Sequence, residues 1–295
     1  PGNWNIKNDM ILPSGFVVKS FPGTKLNLIN GASIVSYSPL NFYGTERKPI
    51  IIESNDGKGR GIIVLKTGEN ASKFYNVFFR NLTRPKELGL NLTSAVTFFE
   101  SDVHFSKSVF LDNHDSDDAL NIIRSNFSIE TSMFAHSFAD ALDLDFSNGS
   151  ITNVIFKNCG AKDRNGDCLD ISGSRVKLNN INLNKVGDKA LSIGENSSVI
   201  ANNINITNAK VAIASKDSSE INIDGLSIRD SSFGFAAYQK KKEFGPASII
   251  TTNFSSESVG TLYVLEEDSS LIVNGSAIVP SSKVHPLDRI EASFR

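Results

Sequence analysis

The sequence predicts an all-β solenoid, a single coil of short parallel strands with about 22 residues per rung. Two observations carry this expectation. Four stretches, "SDDALNI", "ADALDLD", "GDCLDIS" and "GDKALSI", beginning at Ser116, Ala139, Gly166 and Gly187, are versions of one phrase. Around and beyond them the local period is two, as in "LDLDF", "INLN", "INIT" and "INID", which is the alternation of a strand. Helical periodicity is absent.

Aligning the phrases yields columns of apolar residues. The first runs Leu120, Leu142, Leu169, Leu191, Ile213, Phe235, at spacings of 22, 27, 22, 22 and 22. A second runs Phe105, Ile129, Ile151, Leu178, Ala201, Ile223, Ile249, Val273, and a third Phe110, Phe134, Phe156, Leu183, Ile206, Ile228, Phe254, Ile278. These two share the spacings 24, 22, 27, 23, 22, 26 and 24. Longer steps that occur together in separate columns mark loop insertions, placed at "GAKDRNG" and "QKKKEFGP". Like residues stacked one rung (about 4.8 Å) apart fill a narrow core. Asn153, Asn180, Asn203 and then Gly225 share a register beside Asn179, Asn202 and Asp224. Such residues tolerate a left-handed backbone, so the column predicts a sharp corner lined by an asparagine ladder.

One domain is expected over 1–295, with 1–60 as N-terminal cap and first rungs, 61–280 as regular rungs and 281–295 as a C-terminal tail or cap. Chain length over repeat length predicts about 11 to 13 rungs. A net charge of −2 and 21% charged residues exclude a general nucleic-acid binder. Apolar runs such as "GIIVL" are far too short to span a membrane. The chain begins at Pro1 without a charged and then apolar leader, so it reads as a processed or excised piece of a longer chain that could carry further domains.

With the repeat established, the sequence resembles right-handed parallel β-helices of the pectate-lyase-like superfamily over nearly its whole length. The lead-in "MILPSGFVVKSFPGTKLNLINGASIVSYSPLNFYGTERKPIIIES" is similar to a common start of such proteins. More narrowly it is similar to β-helix modules of bacterial surface proteins, some associated with CotH-like segments. The architecture carries lyases, hydrolases, epimerases, adhesins and inert stalks alike, so the resemblance implies fold before activity.

Carboxylates are concentrated where the phrases lie. Residues 111–170 hold 11 acidic and 4 basic side chains, although the whole chain carries only −2. In register, Asp118, Asp140 and Asp167 form one column at the strand starts, and Asn121, Asp143 and Asp170 form another facing outward. Asp145 shares the face of Asp143. Two unpaired carboxylates one rung apart repel by about 3–4 kcal/mol at an effective dielectric of about 20. A bound cation, a raised pKa or splaying into water relieves this. Asp117, Asp118 and Asp188 sit where turn geometry alone favours aspartate. Asp143, Asp145 and Asp170 lie inside strands, where aspartate is disfavoured, and point to a site.

Asp163, Asn165 and Asp167 have the D-x-N-x-D spacing that opens a calcium loop. Cys168 and Ser174 stand where a full loop needs glycine and glutamate, which excludes a helix-flanked site. A simpler Ca²⁺ site aided by Asp140 or Asp143 remains. Cys159 and Cys168 flank the same insertion. They either close it as a disulfide or serve as two small unpaired residues, Cys168 lying in the column of Ala119, Ala141, Ala190 and Ala212. His104, His114, His136 and His285 lack metal spacing.

"SDDALNI" and "GDCLDIS" resemble the aspartate part of polygalacturonase-like hydrolases. The Asn-Thr-Asp and His-Gly parts are missing, and the Arg-x-Lys at Arg175 and Lys177 leads into a different column. The leading expectation is therefore an extracellular or surface-displayed module that binds a polysaccharide or other surface glycan, or acts as a structural or adhesive stalk, without catalysis. The alternative is a polysaccharide lyase or glycoside hydrolase using Asp118, Asp140, Asp143 and Asp170, with Asp145, Arg124 and Lys189 on the substrate. The basic loop "YQKKKEFGP" reads as a solvated loop or as a subsite for an anionic glycan.

Overall fold

The computed structural model describes residues 1–85, 92–160, 165–280 and 286–292. It is a parallel β-solenoid of about 11 turns with a spacing of about 24 residues. Three faces run its length. The first stacks Met10–Leu12, Ile34–Ser36, the start of Ile62–Tyr75, the start of Val96–Ser106, Asp118–Ile123, Asp140–Asp145 and Leu169–Ser172. The last regular turns, Arg175–Gly194, Ser198–Lys216, Glu220–Tyr238 and Ser248–Leu265, are each one continuous strand folded around all three faces. Gly2–Ile6 is already a rung of the third face, paired with Thr24–Leu28.

The corners form where the sequence places them. Asn153, Asn180, Asn203 and Asn253 have φ between 52° and 55°, and Gly225 has φ 76°. Asn180 Nδ2 donates to Asn153 Oδ1 at 2.7 Å, and Asn203 Nδ2 donates to Asn180 Oδ1 at 3.0 Å. An alanine at Asn180 loses both amide bonds and holds a left-handed φ that asparagine tolerates better. We expect Asn180→Ala to lower stability by about 1–2 kcal/mol and Asn180→Gly by less, read by urea denaturation. Equal midpoints for the two variants would remove this account.

A second ladder turns the corner after the first face. The N–H of Ser101 donates to Ser125 Oγ at 2.8 Å, that of Ser125 to Ser147 Oγ at 3.2 Å, and that of Ser147 to Ser174 Oγ at 2.8 Å. It continues through Ser174 to Ser197 Oγ and Ser197 to Ser219 Oγ, both at 3.0 Å. These serines are buried, so each hydroxyl supplies the acceptor that a buried corner amide requires.

Inside, Leu120, Leu142, Leu169, Leu191 and Ile213 stack as expected, all fully buried. Phe110, Phe134 and Phe156 stack with centroids 4.6 and 5.0 Å apart. The expected columns fail at two points. Ile223 pairs with Thr251, and Phe254 pairs with Leu226, so "QKKKEFGP" lengthens its turn by two residues more than the sequence columns assumed. Ile278 lies opposite Leu271 in an antiparallel strand and not in the third column. A slip of two preserves which residues face inward, so strand periodicity could not expose it.

Cys159 and Cys168 are joined by a disulfide with Cα atoms 5.2 Å apart, which resolves the alternative left open by the sequence. Pro286–Ala292 is a short helix, the one helix among the described residues. It lies on the outer surface of the first face, where Ile290 packs with Val211, Ala214, Phe233, Ala236, Tyr238 and Val264. Those residues face outward yet are buried because the helix covers them.

Candidate functional site

The acidic phrases lie on the outer surface of the first face, next to the part the helix covers. Their strand starts form one column, Asp118, Asp140, Asp167 and Lys189. Asp118 is paired with Asp140 in the ladder. The N–H of Asp167 donates to Asp140 Oδ1 at 2.8 Å, and that of Lys189 donates to Asp167 Oδ1 at 2.8 Å. Each of these two carboxylates therefore accepts the leading amide of the next rung. The central column runs Asn121, Asp143, Asp170 and Ser192, and the trailing column contains Ile123, Asp145 and Ser172.

The arrangement brings six carboxylates onto three rungs. Oxygens of Asp140, Asp167 and Asp170 lie within 4.8 Å of one another. Asn121 Nδ2 donates to Asp143 Oδ2 at 2.8 Å and to Asp145 Oδ2 at 3.1 Å, so one amide nitrogen spans both carboxylates. Asn121 Oδ1 is buried and has no protein partner among the described residues. Asp118 is buried and accepts a 2.6 Å hydrogen bond from Ser94 Oγ.

Low dielectric and like charge together hold Asp118, Asp140, Asp143, Asp145 and Asp167 toward their protonated forms. Burial, and then Asp167 and Asp118, pushes the Asp140 carboxyl up to about 9. Burial pushes Asp118 up to about 8 against the pull of the Ser94 hydrogen bond, with Asp117, Asp145 and Asp170 adding to it. Asp143 is raised well above the carboxylate range by burial and by Asp118, Asp145 and Asp170. Burial raises Asp145 as well, while the Asn121 hydrogen bond draws it back. Asp167 is raised by burial against the pull of Lys189.

Cations gather on the C-terminal side. Lys189 contacts Asp188 and lies 3.5 Å from Asp167, and Lys210 lies 3.6 Å from Asp188. Burial alone would lower the Lys189 pKa, but Asp167 and Asp188 outweigh it and hold the ammonium charged. Lys216 is buried and donates to Ser192 Oγ at 2.8 Å. Arg124, expected on a substrate, stands at the corner after Asp118–Ile123 with φ 49°, and its guanidinium lies 5.9 Å over each of the Phe99 and Phe146 rings. It also reaches Glu100 at 3.8 Å, so it is not part of the carboxylate cluster. Of the proposed calcium loop, Asp163 lies outside the described residues. Asn165 is exposed beside a cavity, and Asp167 belongs to the three-rung triad.

The sequence places Asp167 both in the column of Asp118 and Asp140 and in a calcium loop with Asp163 and Asn165, and gives no role to Lys216, Arg84 or Phe138. Counting the trailing column on from Asp145 through Ser172 and Gly194 reaches Lys216, so that residue had a usable signal. Arg84 and Phe138 stand in loops, where no column points to them.

Face, register and corner together define a parallel β-helix with a cluster of carboxylates on the outer surface of its first face. No family model matches the chain, and no curated protein matches it. Among solved structures it is similar to an alginate lyase from Paenibacillus sp. str. FPU-7, with 12% identity, 84% of this chain and 97% of that one covered, and a TM-score of 0.46. It is also similar to the periplasmic alginate epimerase AlgG, as a double mutant, with 12% identity over 92% and 78% of the chains and a TM-score of 0.48. A pectate lyase from Paenibacillus sp. 0602 is 12% identical over 94% of this chain and 74% of its own, with a TM-score of 0.44.

Proposed function

We propose that this chain is an extracellular or surface-displayed β-helix that cleaves a polysaccharide at the carboxylate cluster of its first face. The observation that carries the reading is the Asn121-bridged pair Asp143 and Asp145 beside the Asp140–Asp167–Asp170 triad. Three rungs of closely set, mutually repelling carboxylates, of which Asp118 and Asp167 are buried, oppose folding, and packing of the core does not require them. An outer location is supported by the Cys159–Cys168 disulfide, a bond characteristic of oxidising compartments. No helix among the described residues is long and apolar enough to cross a membrane.

The chemistry is that of two acids whose surroundings separate their proton affinities. The Asp143 carboxyl is raised well above its ordinary value and is half-buried at the outer surface, so it is the member of the pair placed to donate to a glycosidic oxygen. Asp145, drawn back by the Asn121 hydrogen bond, is the more readily ionised partner and can accept a proton or stabilise developing positive charge. The expected result is release of reducing ends or unsaturated products in a screen of polysaccharides. Asp143→Asn and Asp145→Asn should each lower turnover by about 10²–10⁴-fold with the fold intact. Turnover unchanged in both variants sinks the assignment.

The triad also fits a hard divalent cation. It offers oxygen donors only, they converge, and Asn121 Oδ1 is an orphaned acceptor one rung below Asp143. Asp140, Asp167 and Asp170 would hold Ca²⁺, which when bound would neutralise the cluster and keep these carboxylates ionised. We expect millimolar Ca²⁺ to raise the melting temperature by several degrees at pH 8, and by less at pH 5, where protons compete. Identical melting in EDTA and in Ca²⁺ at pH 8 removes the ion.

A second reading, glycan binding without catalysis, is favoured by one feature. Asp118 and Asp167 are nearly inaccessible and engaged within the protein, by Ser94 and by Lys189. Retention on a polysaccharide affinity gel with no turnover on any substrate would select it.

A further inference from the structure

Asp143 and Asp145 alternate on one strand and both face outward, half-buried, with Cα atoms about 6.6 Å apart at the ordinary rise of a strand. On the rung below, Asn121 is the register partner of Asp143, and Ile123 that of Asp145. The Asn121 side chain is 6% exposed, and its amide nitrogen donates to Asp143 Oδ2 at 2.8 Å and to Asp145 Oδ2 at 3.1 Å. Both oxygens lie on one nitrogen, so they cannot be more than about 6 Å apart. The two N–H bonds of a planar amide diverge by about 120°, which sets the oxygens about 5 Å apart. We infer that Asp145 is a nucleophile, and that cleavage is hydrolysis by double displacement with retention of configuration at the anomeric carbon. This rests on the carboxylate cluster being the polysaccharide-cleaving site and fixes the course of its reaction.

Separation decides the course. Two carboxyl groups about 5–5.5 Å apart admit the anomeric centre between them, and one of them attacks it directly. Inversion needs about 6.5–9.5 Å, because a water must stand between the base and the ring. The bound of about 6 Å excludes that range for the facing oxygens of this pair. The spacing is held by the fold. Asn121 sits in the ladder between Thr97 and Asp143, and its burial keeps the carboxamide from swinging away. The same hydrogen bond draws Asp145 toward ionisation, the form a nucleophile requires, against the burial that raises its pKa. The neighbouring carboxylates are placed otherwise: Asp140, Asp167 and Asp170 converge on one another, and Asp118 is buried against Ser94.

The steps balance with these two residues and water. First, an Asp145 carboxylate oxygen bonds to the anomeric carbon as the glycosidic C–O bond breaks, and Asp143 gives its proton to the leaving oxygen. The sugar is then held as an ester of Asp145, and Asp143 is left as a carboxylate. Second, Asp143 takes a proton from water, the water oxygen bonds to the same carbon, and the ester bond to Asp145 breaks. Each displacement inverts the carbon, so the pair of them retains its configuration. One water is consumed for each glycosidic bond, and both acids return to their starting forms.

The test follows cleavage by the full chain, with Ca²⁺ present, of the polysaccharide that gives turnover in the screen, by ¹H NMR of the anomeric signals before mutarotation. The anomer released first should match the configuration of the bond cleaved, and added methanol should yield a methyl glycoside of that same configuration. Asp145→Ala should lose turnover by about 10²–10⁴-fold with a melting temperature no lower than the parent's. Sodium azide should restore its turnover and form a glycosyl azide of the opposite configuration. An inverted first anomer, or an unsaturated product, overturns the double displacement while leaving the cluster a cleaving site. Retention with no loss in Asp145→Ala, or azide without effect on that variant, overturns Asp145 as the nucleophile. No turnover by the parent chain on any polysaccharide overturns this inference together with the reading beneath it.

Discussion

Asp140→Asn should make the protein more stable at pH 8 in the absence of divalent cations. Asp140 sits in the triad with Asp167 and Asp170, and its carboxyl is pushed up to about 9 from an ordinary value of 3.8. A carboxyl raised in the folded state opposes folding increasingly as pH climbs from the unfolded value toward the folded one. The penalty is absent below about pH 4 and fully developed only above about pH 9. Asparagine keeps an oxygen to accept the Asp167 N–H and removes the charge. The gain at pH 8 is expected to be about 1–3 kcal/mol, smaller than the isolated shift implies because the remaining acids redistribute their protons. It should shrink by pH 5, where the parent chain itself becomes more stable. Glu53 does not confuse this window: burial opposes its ionisation, but Lys25 and Arg80 lower its pKa, so its contribution is lost only in stronger acid. Urea midpoints for parent and variant from pH 5 to pH 9 read the effect. A variant less stable than the parent at pH 8 would mean that the cluster is held by attraction and not by burial against repulsion.

Phe134→Ala should be among the most damaging single changes in the chain. Phe134 is fully buried and stacked between Phe110 and Phe156, at 4.6 and 5.0 Å. Removing the ring leaves a void between two rungs whose backbones are fixed by parallel ladders, so collapse around it is limited. The expected loss is about 3–5 kcal/mol. Ile155→Ala is the control from the next rung. Ile155 pairs with Met133 but points outward and is 46% exposed, so its removal should change stability by no more than about 0.5 kcal/mol. Similar midpoints for the two variants would contradict the inward and outward assignment of the third face.

The parity of each rung was legible in the sequence because the side-chain period of a strand is two and the core is one residue thick. Leu120, Leu142 and Leu169 stack because a slip by one residue would turn Asp143 and Asp170 inward. The asparagine corner was legible for a related reason, since few residues tolerate a left-handed φ. The serine ladder was legible too. Ser101, Ser125, Ser147, Ser174, Ser197 and Ser219 repeat at 24, 22, 27, 23 and 22, the spacings of the apolar columns, but serine is common enough that the pattern does not draw the eye.

By itself, then, the amino-acid order determined the coil, its faces, its corners and the outward placement of Asp143, Asp145 and Asp170, all of which follow from local periodicity. Only tertiary structure decided the two-residue slip at Thr251, the Cys159–Cys168 bond, the position of the Pro286–Ala292 helix against the first face, and the approach of Asp170 to Asp140 and Asp167. These depend on loop length, on distances between residues on neighbouring turns, and on which outward surface a helix covers. None of them changes the alternation along a strand, and so none leaves a trace in it. For the carboxylates the difference is chemical. The sequence places them on one face, but the burial that raises their pKa values comes from the rungs, loops and side chains that close over them.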